Sequence, residues 1–185
     1  MKRHTGFSLT EMLVVVAIVA ILLGIGVPSY RYVTNASRMS SEINALLGDL
    51  MYARAEAVKE GQTVSLCVSS DGATCSGSNA WQNGWIVFPD PTQSDTPAAG
   101  AVLRVQAAFA GTTPDSLTPD NPIGAVSFNR DGFAQSAGGA AFATTILTLH
   151  DPTANVAWTR CLQITLVGLL QTETAVPPLT FAPCA

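Results

Sequence analysis

Few residues in this chain have the type and spacing to do chemistry, and the most pointed are Gly6, Phe7 and Glu11. Gly6 and Phe7 form a junction behind two basic residues, Lys2 and Arg3, and Glu11 is the one carboxylate within the apolar span Phe7 to Val27. A cut between Gly6 and Phe7 would give Phe7 a free α-amine one helical turn from Glu11. Positions i and i+4 share a helix face, so amine and carboxylate become neighbours, within one helix or between staggered ones. The implied chemistry is proteolytic processing followed by ion pairing. Four cysteines, Cys67, Cys75, Cys161 and Cys184, are the next candidates. Cys67 and Cys75 are too widely spaced for a zinc knuckle, and the isolated His4 and His150 offer no paired ligands. The chain has no G-x-S-x-G, P-loop or H-E-x-x-H pattern. Its carboxylates beyond Gln62 fall in turn-like stretches, where Asp serves the backbone. No catalytic residue, metal site or cofactor is therefore expected, and the enzyme class is set aside.

The element that must position Phe7 and Glu11 is the apolar segment itself. As a helix, Phe7 to Val27 would extend about 32 Å at ~1.5 Å per residue, enough for the hydrocarbon core of a bilayer. A secretory signal peptide would need a small-residue cleavage site after the run, and Gly26-Val27-Pro28-Ser29-Tyr30-Arg31 does not supply one. A simple anchor, with Lys2 and Arg3 held in the cytoplasm, leaves Glu11 unexplained, because a carboxylate at mid-bilayer costs ~2.5–3.5 kcal/mol on insertion scales. Cleavage before the run removes the difficulty, since a paired carboxylate is tolerated in lipid where an isolated one is not.

Gly6-Phe7-Ser8-Leu9-Thr10-Glu11 followed by an apolar helix resembles the type III signal of type IV pilins and of the pseudopilins of type II secretion. The resemblance implies that a prepilin peptidase cuts after Gly6 and methylates the Phe7 amine. It also implies that Glu11 registers the incoming subunit in a growing filament, and that Pro28 marks the helix proline common to pilins. The organisation expected is a leader at 1–6, a hydrophobic transmembrane and assembly helix at 7–28, an amphipathic continuation at 29–61 and a β-rich globular domain at 62–185.

Gly24, Gly26 and Pro28 are poor helix-interior residues, and Pro28 removes a donor and clashes one turn back, so a kink is expected there. Beyond it, Ala36, Met39, Ile43, Leu46, Leu50, Ala53 and Ala57 recur at three- and four-residue steps, with Leu47 and Met51 widening the stripe. That pattern is an amphipathic helix packing on the domain and ending near Gly61. Downstream the helical period disappears. Strands are expected at Thr63–Val68, Gly84–Phe88, Val102–Ala107, Ala125–Asn129, Gly132–Gln135, Thr144–His150, Val156–Leu166 and Gly168–Thr172. Asn129-Arg130-Asp131-Gly132 reads as a hairpin turn and Val167-Gly168 as another. Pro89 to Pro122 is expected to hold long, mobile loops around one strand. Trp81 and Trp85 are read as capping a core edge.

Cys67 and Cys75 within Leu66–Cys75, the run Trp81-Gln82-Asn83-Gly84-Trp85-Ile86-Val87-Phe88 and Phe128-Asn129-Arg130-Asp131-Gly132 resemble the FimT/FimU minor pilins, relatives of the H-type pseudopilin. This implies an α+β fold in which one long helix packs against a domain of two sheets. It implies a bacterial inner-membrane protein, single-pass with a periplasmic domain, then built into a pilus or pseudopilus. The implied partners are other pilins or pseudopilins, the prepilin peptidase and the inner-membrane assembly platform. The leading function is a minor pilin that primes or caps a type IV pilus; the alternatives are an H-type pseudopilin of type II secretion and, lower, a DNA-uptake pilin.

Some FimT-like pilins bind DNA through Gly-Arg-x-Arg near the C-terminus, and the corresponding place here is Gly168-Leu169-Leu170-Gln171, with both arginines absent. From Gln62 to Ala185 there are three basic residues against eight acidic ones, which repels nucleic acid. Weak or no DNA binding is therefore expected. Four cysteines behind a membrane-targeting segment favour disulfides in an oxidising compartment. Sequence alone leaves three pairings open; proximity favours Cys67–Cys75 and Cys161–Cys184 as a hypothesis.

Overall fold

The computed structural model describes residues 8–111 and 113–174. Two compact units, Met1–Arg38 and Met39–Ala185, divide the chain, and the long helix α1 (Leu9–Glu60) contributes to both. In the first unit the helix begins where the Ser8 carbonyl accepts the amides of Glu11 at 3.1 Å and Met12 at 3.2 Å. The helix continues without interruption through Gly24, Gly26 and Pro28. Ala36 belongs to this unit and is only half-buried.

The second unit combines the last turns of α1 with two antiparallel sheets. One sheet contains β1 (Val64–Val68), β2 (Gly84–Pro89), β3 (Arg104–Ala107), β5 (Ala125–Phe128) and β6 (Ala134–Gln135), in the order β3-β2-β1-β5-β6. The other contains β4 (Ser116–Pro119), β7 (Thr145–His150), β8 (Arg160–Ile164) and β9 (Leu170–Thr174), in the order β4-β7-β8-β9. The helical stripe Met39, Ile43, Leu46, Leu50, Ala53 and Ala57 is fully buried against both. The first sheet supplies Leu66, Trp85, Val87 and Phe128 to this core, and the second supplies Leu117, Leu147, Leu149 and Leu162. Met51 departs from the expected stripe. It is 58% exposed, because the core-facing arc passes from Leu50 to Ala53 and leaves position 51 outside.

Burial explains why the strands look different in sequence. β1 and β2 are buried on both faces, so apolar residues run continuously through them. Their second face carries a smaller cluster of Cys67, Ile86, Phe88 and Ala125, packed by Cys75 and Val102. β7 is buried on one face only, and its residues alternate.

Several strand expectations also change, with Gly132–Gln135 shortened to Ala134–Gln135 and Val102–Ala107 to Arg104–Ala107. Val156–Leu166 contracts to Arg160–Ile164, because the Asp151 carboxylate accepts the amides of Thr153 at 3.1 Å and Asn155 at 2.7 Å and turns the preceding chain. The last strand shifts to Leu170–Thr174. The Pro89–Pro122 stretch holds two strands, not one, since Ser116–Pro119 pairs with β7 from Leu117↔Leu149 outward. Its proline is tolerated because β4 is an edge strand.

Candidate assembly interface

Within the first unit the helix surface from Leu9 to Val27 is almost wholly apolar and unburied. Its large aliphatic side chains are exposed from 46% at Val27 to 81% at Leu9. The most apolar 18-residue window has a mean hydropathy of 2.7, and none of it is buried. Monomeric soluble proteins do not leave a surface of this size in water. Among the described residues it is one helix long and apolar enough to cross a membrane. Glu11 lies exposed in the first turn, where the unpaired amides at the N-terminus favour negative charge. Gly6 and Phe7 lie outside the described residues. Below the apolar span, the exposed Tyr30 and Tyr32 flank Arg31, the mix of aromatic and cation that suits a membrane–water boundary.

In the second unit, side chains on the helix hold the domain together. Asp49 reaches two strands. Its Oδ2 accepts the buried Trp85 indole N–H at 2.9 Å, and its Oδ1 accepts from Arg104 Nη1 at 2.6 Å. Arg104 also lies over the Tyr52 ring, 4.4 Å from its centroid. One helix carboxylate thereby fastens a central strand, β2, and an edge strand, β3. Arg160, on β8, reaches Ser40 Oγ at 3.4 Å on the other side. Trp81 and Trp85 are both buried, Trp81 donating its indole N–H to the Ile123 carbonyl at 3.0 Å and Trp85 meeting Phe109 edge-on. They are core residues and present no aromatic face to a partner.

Cys67 and Cys75 are bridged, with Cα atoms 5.6 Å apart. The loop they close is ordered by Asp71, whose carboxylate accepts from the Thr74 hydroxyl at 2.7 Å, the Thr74 and Ala73 amides at 2.8 Å and the Ser69 hydroxyl at 3.0 Å. These bonds, the Thr74 hydroxyl first, hold its pKa well below the usual carboxylate range. Cys161 is not a free thiol, and Cys184 lies outside the described residues. At Asn129–Gly132 the asparagine carboxamide accepts the amides of Asp131 at 2.9 Å and Phe133 at 3.0 Å, and Gly132 takes φ +80°. Gly168 turns β8 into β9 at φ +73°, placing Leu169 half-exposed and Gln171 exposed. His150 accepts or donates a long contact to Thr159 at 3.3 Å, as an ordinary strand-end residue does. Among the described residues no group of three or more His, Cys, Asp or Glu side chains could hold a metal ion.

Asp49 and Asp90 escaped the sequence reading. Asp90 is buried and accepts from Ser65 Oγ at 3.0 Å and from the amides of Ser94 and Asp95 at 2.9 Å. Asp49 had a signal available, a carboxylate on the flank of the apolar stripe, but nothing local marks Trp85 as its partner.

The second unit is thus a two-sheet antiparallel domain packed on a helix, and the helix surface of the first unit is exposed and apolar. A family model described as type II transport protein GspH matches residues 42–168. The chain belongs to the GspH family. A second model, the prokaryotic N-terminal methylation motif, matches residues 1–27 of this GspH-family chain. Two crystal forms of the type IV minor pilin FimU from Pseudomonas aeruginosa (strain PAO1) resemble it in fold. One aligns with a TM-score of 0.53 at 19% identity, over 74% of this chain and 91% of FimU. The other gives 0.51 at 16% identity, over 80% and 92%. Its fold, one long α-helix and a two-sheet antiparallel domain among the described residues, is the fold of FimU, and its family is that of GspH.

Proposed function

We propose that this chain is a minor pilin of a type IV pilus, processed from a prepilin and built in at the filament tip, where it primes or caps assembly. The observation that carries the reading is the pairing of Gly6-Phe7 and Glu11 with a helix whose apolar surface is exposed from Leu9 to Val27. Cleavage after Gly6 frees the Phe7 amine, which is N-methylated. Glu11 pairs with the amine of a neighbouring subunit, and a pair is stable in the apolar bundle where a lone charge is not. Lys2 and Arg3 keep the leader cytoplasmic, so the β domain lies in the periplasm before assembly. Pro28 supplies a weak point at which the helix bends under filament packing. Residues 7–28, 29–61 and 62–185 then act as assembly helix, connector and exposed domain. The protein works by structure and partner contact, without catalysis or cofactor. Its partners are other pilin-type subunits, the prepilin peptidase and the inner-membrane platform.

A second reading, the H-type pseudopilin of type II secretion, is favoured by the family match over residues 42–168. A deletion strain scored together for pili, twitching, secretion and transformation separates the two. Loss of pili and twitching with intact secretion supports the pilus reading; loss of secretion alone replaces it with the second. DNA uptake ranks below both, because Leu169 and Gln171 stand where guanidinium groups would grip phosphate, on an acidic domain. A gel shift at low salt with residues 29–185 is expected to show no complex, and micromolar affinity would reverse that ranking.

A further inference from the structure

One surface of the second unit is apolar and open to solvent. Met51 and Val58 are 58% and 55% exposed on the helix. Beside them Leu166, Val167 and Leu169 are about half-exposed on the β8–β9 turn, and Phe133 is 45% exposed on the neighbouring β5–β6 turn. Between helix and turn lies a groove of about 570 Å³, lined by Met51, Arg54, Ala55, Val58, Leu169 and Leu170.

Arg54 forms part of its floor. Its Nε donates to the Gly132 carbonyl at 3.0 Å, and its Nη2 reaches the Val167 carbonyl at 3.4 Å. Those two turns are also joined directly, the Ala134 amide donating to the Leu166 carbonyl at 2.9 Å. Gly168 is required here. At φ +73° it sits so close that a Cβ would collide with the Gly132 carbonyl oxygen and come within 3.0 Å of Arg54 Nε. These bonds tie the helix to both turns and shape the groove without a partner.

Its charge is incomplete. Helix positions three and four residues from Arg54 are Leu50, Met51, Ala57 and Val58, none of them a carboxylate. Among the described residues no carboxylate pairs with Arg54. A half-buried guanidinium with only carbonyl partners, set in an apolar wall on an otherwise acidic domain, is complementary to a carboxylate flanked by apolar side chains.

We propose that this groove docks a neighbouring pilin-type subunit of different sequence, through a segment presenting an apolar side chain beside an Asp or Glu that pairs with Arg54. The inference rests on the filament reading above. A two-fold pair of copies centred on this groove would set Arg54 against Arg54, which like charge opposes, and a head-to-tail contact between copies is an outcome that the crosslink below distinguishes. Nucleic acid would find one cation where several phosphate contacts are needed.

The test uses the full chain in cells that assemble filaments, with a photo-crosslinking amino acid in place of Met51, and mass spectrometry of the adduct. The expected adduct joins residue 51 to an acidic, apolar-flanked peptide of another pilin-type subunit. Arg54→Glu should lose it, and exchanging the identified carboxylate for Lys should restore it. Because Arg54 also ties two turns, Leu169→Glu serves as a variant on an exposed side chain. It should cut the adduct by about tenfold or more with an unchanged melting temperature, as like charge at an interface does. An adduct with a second copy or with DNA overturns the proposal, as does the absence of an adduct from protein that is leader-cleaved and present in filaments. Wild-type chain that never enters filaments overturns the filament reading itself.

Discussion

Replacing Asp49 by alanine is expected to destabilise the domain far more than removing the arginine bonded to it. Asp49 has two partners of very different burial. The Trp85 indole N–H sits on a residue with no exposed surface, whereas the Arg104 side chain is 48% exposed. Without Asp49 the buried indole donor loses its acceptor, which costs about 1–3 kcal/mol. The exposed ion pair adds only about 0–1 kcal/mol. Asp49→Ala should therefore cost about 2–3 kcal/mol, or about 5–10 °C in melting temperature for a domain of this size. Arg104→Ala loses the ion pair and the stacking on Tyr52 and should cost about 1 kcal/mol. Asp49→Asn keeps an acceptor for Trp85 and should fall near Arg104→Ala. Urea unfolding of residues 29–185, followed by tryptophan fluorescence, supplies all three values and a double-mutant cycle with Arg104. The reasoning is refuted if Arg104→Ala costs as much as Asp49→Ala, since the buried donor would then not be the larger effect.

The remaining predictions concern the bridges and the partly buried carboxylate of Asp95. Removing the Cys67–Cys75 bridge by a double alanine substitution should cost ~2–3 kcal/mol for a loop this short, measured by thermal unfolding. We propose Cys161–Cys184 as the second bridge; non-reducing peptide mapping should recover that linkage, and Cys67 joined to Cys161 or Cys184 would overturn it. Asp95 is held above its ordinary value of 3.8, first by burial and then by the charge of Asp90, against the opposing Gly138 amide. Folding raises this pKa, so the folded chain binds the proton first. Stability from this group is present at low pH and is lost as pH rises through the raised value. Asp95→Asn should then be more stable than the parent at pH 7, with the difference closing toward pH 4; a constant difference would exclude the mechanism.

How much of this was legible in the sequence depends on how local the determinants are. The helix, its buried stripe and its end at Gly61 follow from a period and a terminator, both local. The turns at Asn129–Gly132 and Gly168 follow from residues that permit positive φ. Strand Ser116–Pro119 was hidden because its four residues carry turn composition, and only pairing with β7 makes them a strand. Val156–Thr159 misled in the opposite sense, since β-branched and apolar residues there are bent by Asp151 from outside the run. Met51 was misassigned because the stripe's width depends on where the two sheets lie, which periodicity does not specify. The assembly role proposed for Glu11 was suggested by the sequence for a different reason. Glu11 conflicts with its own apolar surroundings, and a conflict within one segment needs no tertiary knowledge to see. The clasps made by Asp49 and Arg54 span 36 residues or more of chain, and no local pattern announces them.

The measurement that bears most directly on the filament account is the fate of Glu11→Ala in cells. Processed and unprocessed chain would be quantified together with the amount recovered in sheared filaments. In Glu11→Ala the leader should still be cut after Gly6 while incorporation falls to background, because the N-terminal amine of the neighbouring subunit has lost its partner. Incorporation of Glu11→Ala at the parental level would contradict it.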